Sequence, residues 1–241
     1  MTRATTARAK LNLELRVLGL LPDGRHQVET VLQAISLGDL VEVEPAPESS
    51  IEVFGLPAPA GSENLAVRAA ETLGRPARLR LWKRVPSGAG LGGGSADAAA
   101  VLRLLGTPAE AAAAAPTLGA DVPFLLRGGS ALATGAGEAL LPLPDLDSWF
   151  AIAWPGYGVS TAAVYAAWDA VGGDGLNQLT RAAFAVEPRL AEFAQSLGDA
   201  WRMTGSGSAF FCECASREEA EAAIEGFGCW TAVASAVPAF G

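Results

Sequence analysis

The stretch from residue 86 to residue 96 contains the densest group of glycines in the chain. It reads P-S-G-A-G-L-G-G-G-S-A, with five glycines between positions 88 and 94. A strand pattern precedes it, and an alanine-rich helical pattern follows from Ser95. Glycine costs conformational entropy on folding, so this density needs a reason. Backbone N–H groups free of side chains can converge on phosphate oxygens, and the positive end of the following helix attracts them. The pattern favours a phosphate-binding loop.

Other interpretations of this stretch remain open. Gly88, Gly90 and Gly93 fit G-x-G-x-x-G, but a dinucleotide-binding unit needs a second strand with a terminal acidic residue about 20 residues later. This chain has P-A-E-A-A-A-A-A-P in that region. A Walker A loop is excluded because no lysine follows a glycine anywhere in the sequence. A flexible loop needs fewer glycines. Ser95 is expected to cap the helix or to reach a phosphate or a metal ion.

Four polar residues elsewhere lie in recognisable local patterns. Lys10 and Asn12 share the polar face of a strand at 9–17, about 7 Å apart. Asp121, in G-A-D-V-P, is typical of a turn or a helix N-cap. His26, the single histidine, follows the turn signal P-D-G-R-H. Each residue taken alone also has an ordinary structural explanation.

Two more polar residues lie at predicted helix starts. Asn64 is expected to cap the helix that follows it. Asp97 is expected to interact with the dipole of the helix that begins at Ser95.

Composition narrows the class of protein. The chain has 241 residues and a net charge of -9, without the basic footprint of a nucleic-acid binder. It has neither a run of the roughly 18–20 apolar residues that a membrane helix needs nor a secretory signal, so we expect a cytoplasmic protein without membrane partners. Three cysteines with irregular spacing argue against a disulfide framework and a zinc site, and favour buried thiols.

Periodicity predicts the elements that position these residues. In the first part of the chain we expect strands at 9–17, 28–37, 39–44, 50–54 and 78–85, and helices at 63–74, 95–105 and 108–118, with a break at 118–129. The linker-like P-L-P-D-L-D-S at 142–148 predicts two domains, residues 1–145 and 146–241.

The second part of the chain predicts a split βαβ layer. We expect a strand at 149–154, helices near 161–171, 177–185 and 188–197, a glycine turn entering a strand at 203–214, a helix at 217–227 and a last strand from 229. This order is typical of an α+β domain.

The glycine stretch resembles the P-x-x-x-G-L-G-S-S-A-A signature of the GHMP small-molecule kinases. Other stretches agree in order along nearly the whole chain: A-R-A-K-L-N-L (7–13), P-D-G-R-H (22–26), L-G-A-D-V-P-F-L-L-R-G-G (118–129) and M-T-G-S-G-S-A-F-F (203–211). The triple glycine before Ser95 is similar to the branch of that family in the non-mevalonate isoprenoid pathway.

The resemblance implies a two-domain α/β (α+β) fold and a reaction. The N-terminal domain would be like ribosomal protein S5, and the C-terminal domain ferredoxin-like. The reaction would be ATP-dependent phosphorylation of the 2-hydroxyl of 4-diphosphocytidyl-methylerythritol, with Mg²⁺ as a cofactor whose ligands the sequence does not identify. The enzyme would be a monomer or a weak homodimer with a small-molecule substrate.

The resemblance also implies residue roles. Asp121 would be the base, and Lys10 its charged partner. ATP would contact Asn64 and the loop Pro86, Ser87, Gly88, Ala89, Gly90, Leu91, Gly92, Gly93, Gly94, Ser95 and Ala96. The acceptor would contact Asn12, Arg25, His26, Thr161, Tyr165 and Gly205.

One residue departs from the family pattern. Arg25 stands where the family has a tyrosine that stacks on the cytosine of the substrate, although a guanidinium can also stack on a ring. This departure keeps open a GHMP kinase for homoserine or mevalonate. Two alternatives belong to other classes: a non-catalytic nucleotide or sugar sensor, against which the presence of Lys10 and Asp121 argues, and a dinucleotide-dependent oxidoreductase.

Overall fold

A long antiparallel hairpin begins the chain. In the computed structural model, which describes residues 1–240, β1 (Arg3–Leu20) pairs with β2 (His26–Pro45) along its length. The predicted turn at 22–26 joins them. The predicted break at Gly38 is wrong, because β2 runs through it. A Cβ at Gly38 would lie 2.5 Å from the carbonyl oxygen of Ala7, so this glycine permits close strand contact rather than a turn.

The first sheet has six strands. It continues with β3 (Ser50–Gly55), β4 (Ala77–Lys83), β5 (Ser130–Thr134) and β6 (Ala139–Leu143). The order is β3-β4-β2-β5-β6, with β1 also paired to β2. Strands β3 and β4 are parallel, and the other pairs are antiparallel. Neither β5 nor β6 was expected from the sequence.

Four helices pack on this sheet. They are α1 (Leu65–Thr72), α2 (Gly93–Leu105), α3 (Pro108–Leu118) and α4 (Val122–Arg127). The predicted positions of α1, α2 and α3 are confirmed to within two residues at each end. The predicted break at 118–129 instead contains the short helix α4. The central helix α2 packs closely because alanines occupy much of its buried surface.

A four-stranded sheet forms the second half. Its elements are β7 (Trp149–Trp154), α5 (Thr161–Val171), α6 (Thr180–Val186), α7 (Arg189–Leu197), β8 (Arg202–Met203), β9 (Phe210–Cys214), α8 (Arg217–Ala223) and β10 (Trp230–Ser235). The order β10-β7-β9-β8 is antiparallel throughout and agrees with the predicted ferredoxin-like layer. Within the part of the chain described, no helix is both long and apolar enough to cross a membrane.

The segment 144–148 between the two sheets lacks regular structure, which is why we propose to keep the domain division there. The end of the chain crosses back over this division. The Val237 amide donates to the carbonyl of Ala34, and the Phe240 amide donates to the carbonyl of Arg127. Phe240 also lies under the Arg103 guanidinium. The last described residues therefore belong to the core of the first sheet.

The loop between β4 and α2 joins the two halves directly. The amide of Ala209 donates to the carbonyl of Ala89 over 2.9 Å. Gly90 has a φ of +77°, and a Cβ there would lie 2.5 Å from the carbonyl oxygen of Thr204. This glycine is needed both for its backbone conformation and for the close approach of the second domain.

We predict opposite effects of two alanine substitutions in this loop. Gly90→Ala should lower the free energy of unfolding by about 2 kcal/mol or more, since left-handed backbone strain alone costs about 1–2 kcal/mol. Gly94→Ala should raise it by about 0.5–1 kcal/mol, because Gly94 is helical and its Cβ would meet only Leu65, at 3.8 Å. Urea unfolding of both variants measures this. Equal stabilities would contradict the close packing at Gly90.

Candidate active site

The N-terminus of α2 opens into a cleft. The helix begins at Gly93 with Gly92 as its N-cap, in left-handed conformation at φ +70° and without a side-chain cap. The prediction that Ser95 is the N-cap is wrong, because the helix starts two residues earlier. The first amides of a helix have no partner within it, and here no capping side chain takes their place. They are available to an anion in the cleft.

Most of the predicted site residues line one cavity of about 530 Å³. These are Lys10, Asn12, Asn64, Pro86, Ser87, Gly88, Ala89, Gly90, Gly92, Gly93, Gly94, Ser95, Asp121, Thr161, Tyr165 and Gly205. Leu91 and Ala96 are buried behind the loop, each 1% exposed. Arg25 and His26 line an adjoining cavity of about 380 Å³ that shares Ala136 and Tyr165 with the first.

Lys10 is a buried cation at the centre of this cavity. Its Nζ donates to Oδ1 of Asn12 over 2.5 Å and to the carbonyl of Gly90 over 2.7 Å. The third ammonium hydrogen is left for Asp121, whose Oδ2 lies 3.8 Å away. The Asp121 side chain is 38% exposed and makes no capping bond to α4, although it occupies the N-cap position. Its carboxylate is therefore free to face a ligand.

Asn12 is engaged on both sides. Its Oδ1 accepts from Lys10, and its Nδ2 donates to Oγ1 of Thr30 over 2.8 Å. Its backbone N–H donates to Oγ1 of Thr204, in the second domain. Asn12 thus fixes the position of the Lys10 ammonium as well as lining the cavity.

The turn at 204–208 closes the cavity from the second domain. Gly205 has a φ of +58°, and a Cβ there would lie 3.0 Å from Oδ1 of Asn12, so both its backbone conformation and this close approach favour glycine. Ser206 Oγ lies 2.8 Å from Oγ1 of Thr161. Asn177, which was not predicted to belong to the site, donates from Nδ2 to the carbonyls of Met203 and Gly205 and holds the turn in place.

The adjoining cavity is aromatic. The rings of His26 and Tyr165 are stacked with centroids 4.7 Å apart, and a ring nitrogen of His26 lies 2.8 Å from Oδ1 of Asp169. Arg25 is exposed and paired with Asp23 at 2.8 Å. Burial, together with the negative charge of Asp121, raises the pKa of Tyr165 to about 12. Its phenol stays protonated at neutral pH as a hydrogen-bond donor.

Asn64 also lines the main cavity. Its Oδ1 accepts from the Ala66 amide, which confirms the predicted N-cap, and its Nδ2 donates to the carbonyl of Pro59. Its chain neighbours Glu63 and Leu65 and the nearby Pro59 line the same cavity, so this part of the lining is mostly apolar, with one carboxylate.

A buried charge cluster beneath the loop was not predicted. Lys83 Nζ donates to Oδ2 of Asp39 and, over 2.9 Å, to Oδ2 of Asp97. Asp97 therefore pairs with a buried lysine, and its predicted role as a helix-dipole residue is wrong. The alternation of buried and more exposed residues along β4 could have predicted that Lys83 is buried. Leu79 and Leu81 face the core, and Lys83 follows them at the same two-residue spacing.

The residues present give Mg²⁺ no cage made of protein alone. No group of three His, Cys, Asp or Glu side chains suited to a metal exists among residues 1–240. Mg²⁺ commonly binds through one or two carboxylates together with phosphates and water. Asp121 and Ser95, which face the cavity, fit that mode of binding.

Together these features define a class of protein. A glycine loop at a helix N-terminus, opposite a lysine–carboxylate pair and between two α/β layers, is the site of a small-molecule phosphotransferase. Two protein-family models match this chain. The one described as "GHMP kinases N terminal domain" matches residues 64–129, and the one described as "GHMP kinases C terminal" matches residues 173–229.

Individual relatives narrow the class. The chain is similar to the 4-diphosphocytidyl-2-C-methyl-D-erythritol kinase of Cereibacter sphaeroides, with 38% identity over 92% of this chain and 93% of that one. It is 47% identical to the enzyme of that name from Moorella thermoacetica, over 68% of this chain but only 62% of that relative. A crystal structure of 4-(cytidine 5'-diphospho)-2C-methyl-D-erythritol kinase matches with a TM-score of 0.77 and 38% identity, over 97% of this chain and 98% of that one. The chain belongs to the GHMP kinases and, within them, to the family of 4-diphosphocytidyl-2-C-methyl-D-erythritol kinases.

We predict that Asp97 makes the stability of the protein depend on pH. Burial, opposed by Lys83 and reinforced by the like charge of Asp39, raises the pKa of Asp97 from 3.8 to about 8. A group whose pKa is higher in the folded protein than in the unfolded chain contributes its full stabilisation below its unfolded-state pKa. This contribution to the free energy of unfolding is lost as the pH rises through the folded-state pKa. The free energy of unfolding should therefore fall, relative to that of Asp97→Asn, between about pH 4 and pH 8. Urea titrations of both proteins across this range measure the difference, and a constant difference would contradict the assignment.

Proposed function

We propose that this chain transfers the γ-phosphoryl group of ATP to the 2-hydroxyl of 4-diphosphocytidyl-2-C-methyl-D-erythritol. The observation that carries the proposal is the Lys10–Asp121 pair, 3.8 Å apart, in the same cavity as the glycine loop. Membership of the family supports the identity of the acceptor.

The loop and α2 would bind the phosphates of ATP. The open amides at Gly92–Gly94 and the helix dipole offer hydrogen bonds and partial positive charge to the phosphate oxygens. The adenosine would lie toward Asn64 and Leu65, at the mostly apolar part of the cavity lining. Ser95, together with the phosphates of ATP, would hold Mg²⁺, which would supply positive charge to the phosphoryl group.

Asp121 would act as the general base. The acceptor hydroxyl loses its proton to the free carboxylate as its oxygen bonds to the γ-phosphorus, and ADP leaves with the electrons of the broken bond. Lys10 stabilises the negative charge that develops on the oxygen, because Asn12 and Gly90 fix its ammonium in place. Phosphoryl transfer depends mostly on such positioning.

The cytidine end of the acceptor would occupy the adjoining cavity. His26 and Tyr165 offer a flat aromatic surface, and Asp169 orients the imidazole of His26. Arg25 lines the same cavity and would take the place of the stacking tyrosine. Thr161 and Gly205 would contact the sugar-alcohol part between the two cavities.

We further propose that the enzyme acts as a monomer or weak homodimer in the cytoplasm. The residues given a role above line two adjoining cavities of this chain.

ADP release from ATP and Mg²⁺ tests the proposal. The acceptors are 4-diphosphocytidyl-methylerythritol, homoserine and mevalonate, each supplied alone in a coupled spectrophotometric assay. We expect turnover with the cytidyl compound alone. Turnover with homoserine or mevalonate would keep the kinase activity but assign a different acceptor. ATP binding without turnover of any acceptor would favour a non-catalytic sensor.

Asp121→Asn should keep ATP affinity and lower kcat by about 100-fold or more, the contribution typical of a general base. The amide keeps the shape of the side chain but cannot accept the proton. Steady-state kinetics with both substrates, beside ATP binding by calorimetry, measures the two effects separately. Undiminished turnover would remove Asp121 from the mechanism.

Arg25→Tyr should leave the KM for the cytidyl substrate unchanged or lower it, since tyrosine restores the aromatic surface on which a base can stack. The KM for ATP, which binds in the other cavity, should not change and is the internal control. A large increase in the KM for the cytidyl substrate would mean that the guanidinium makes a contact that tyrosine cannot replace.

A further inference from the structure

The cluster of Asp39, Lys83 and Asp97 lies beneath the glycine loop and takes no part in the chemistry assigned to Lys10 and Asp121. All three side chains are removed from solvent, with exposures of 0%, 1% and 2%. They come from three separate elements: β2, the end of β4, and α2.

The cluster ties together the two ends of the loop. Oδ1 of Asp39 accepts the backbone N–H groups of Arg84 and Val85, over 2.5 and 2.9 Å, where the chain leaves β4. Oδ2 of Asp39 pairs with Lys83, and the same ammonium donates to Asp97 in α2, where the loop ends. A Cβ added at Gly93 would lie 3.2 Å from Lys83 Nζ, so the ammonium lies against the loop backbone.

Asp97 occupies this place at a cost in stability. Its Oδ1 has no hydrogen-bond partner within residues 1–240, and the like charge of Asp39 is close by. A buried carboxylate oxygen without a partner destabilises the folded state. The Lys83–Asp39 pair is neutral without Asp97, so Asp97 is not needed to balance charge. Asp97 also lines the cavity beside Gly93 and Gly94. Such costs are typical of functional sites.

We propose that Asp97, through Lys83 and Asp39, is a positioning residue that holds the glycine loop in its phosphate-binding shape before the nucleotide arrives. The inference rests on the proposed ATP site in this cavity. A loop with five glycines between 88 and 94 has many competing conformations. If only a fraction of molecules has the loop formed, the apparent affinity for ATP falls by that fraction.

Asp97→Ala tests this role and leaves the neutral Lys83–Asp39 pair intact. Amide hydrogen exchange of residues 86–94 in the nucleotide-free protein should become faster, and saturating ATP should slow it again. The KM for ATP should rise about tenfold if the loop is formed about a tenth of the time. We expect kcat to fall less than threefold, and the midpoint of urea unfolding to stay the same or rise.

Two further variants separate positioning from a general structural role. Asp97→Asn keeps an acceptor for Lys83 and should restore the KM for ATP to within about threefold of the wild type. Glu110→Gln breaks the exposed Arg75–Glu110 ion pair, at 2.7 Å in the same domain, and should change neither the loop exchange nor the KM.

Several outcomes would overturn the proposal. Unchanged exchange at 86–94 in Asp97→Ala would do so, as would a loss of kcat with an unchanged KM for ATP. Failure of Asp97→Ala to fold would also overturn it, because Asp97 would then support the fold itself. If the wild-type chain neither binds nor uses ATP, the proposed function fails, but faster loop exchange in nucleotide-free Asp97→Ala would still support the positioning role.

Discussion

The need to satisfy one buried ammonium, that of Lys10, organises the whole site. A lysine that is 4% exposed must find acceptors for its hydrogens, since an unpaired buried charge is strongly destabilising. It finds them in Asn12 on its own strand and in the carbonyl of Gly90 in the loop. Asp121, before α4, lies within ion-pair distance. The turn at Gly205 packs against the same group. Strand, loop, helix and second domain therefore converge on a single atom.

The glycines between positions 88 and 94 are needed for more than one structural reason. The sequence pattern led us to explain all five glycines by phosphate binding. The structure shows that Gly90 is needed where the loop meets the carbonyls of Thr204 and Gly207 in the second domain. Gly94 meets no such restriction. Closing the cleft between the domains and leaving amides free for an anion are separate demands on the same short segment.

Local patterns predicted most elements, whereas the family resemblance supplied most of the cavity residues. Helix α5 has its predicted bounds, because a Ser cap and a Gly stop lie at its ends. Contacts between distant residues could not be predicted in this way. Asp39, Lys83 and Asp97 lie far apart in the chain, and each is unremarkable in its own segment. Gly38 was predicted to break the strand because the contact that requires glycine there involves the carbonyl of Ala7, which lies on another strand and cannot be recognised from the local sequence. The motif resemblance supplied Lys10 and Asp121, which periodicity alone would have left as surface residues.

The two buried lysines, Lys83 and Lys10, have different surroundings and therefore different roles. Lys83 is bound by the buried side chains of Asp39 and Asp97, and although burial lowers the pKa of Lys83, Asp97 and Asp39 raise it. An ammonium neutralised in this way has little attraction left for a phosphate, so its use is to hold elements together. Lys10 has two neutral acceptors and one partly exposed carboxylate that does not reach hydrogen-bond distance. Its positive charge is therefore available to a ligand. We infer that the fold separates the two tasks, with a closed cluster that shapes the loop and an open pair that does the chemistry.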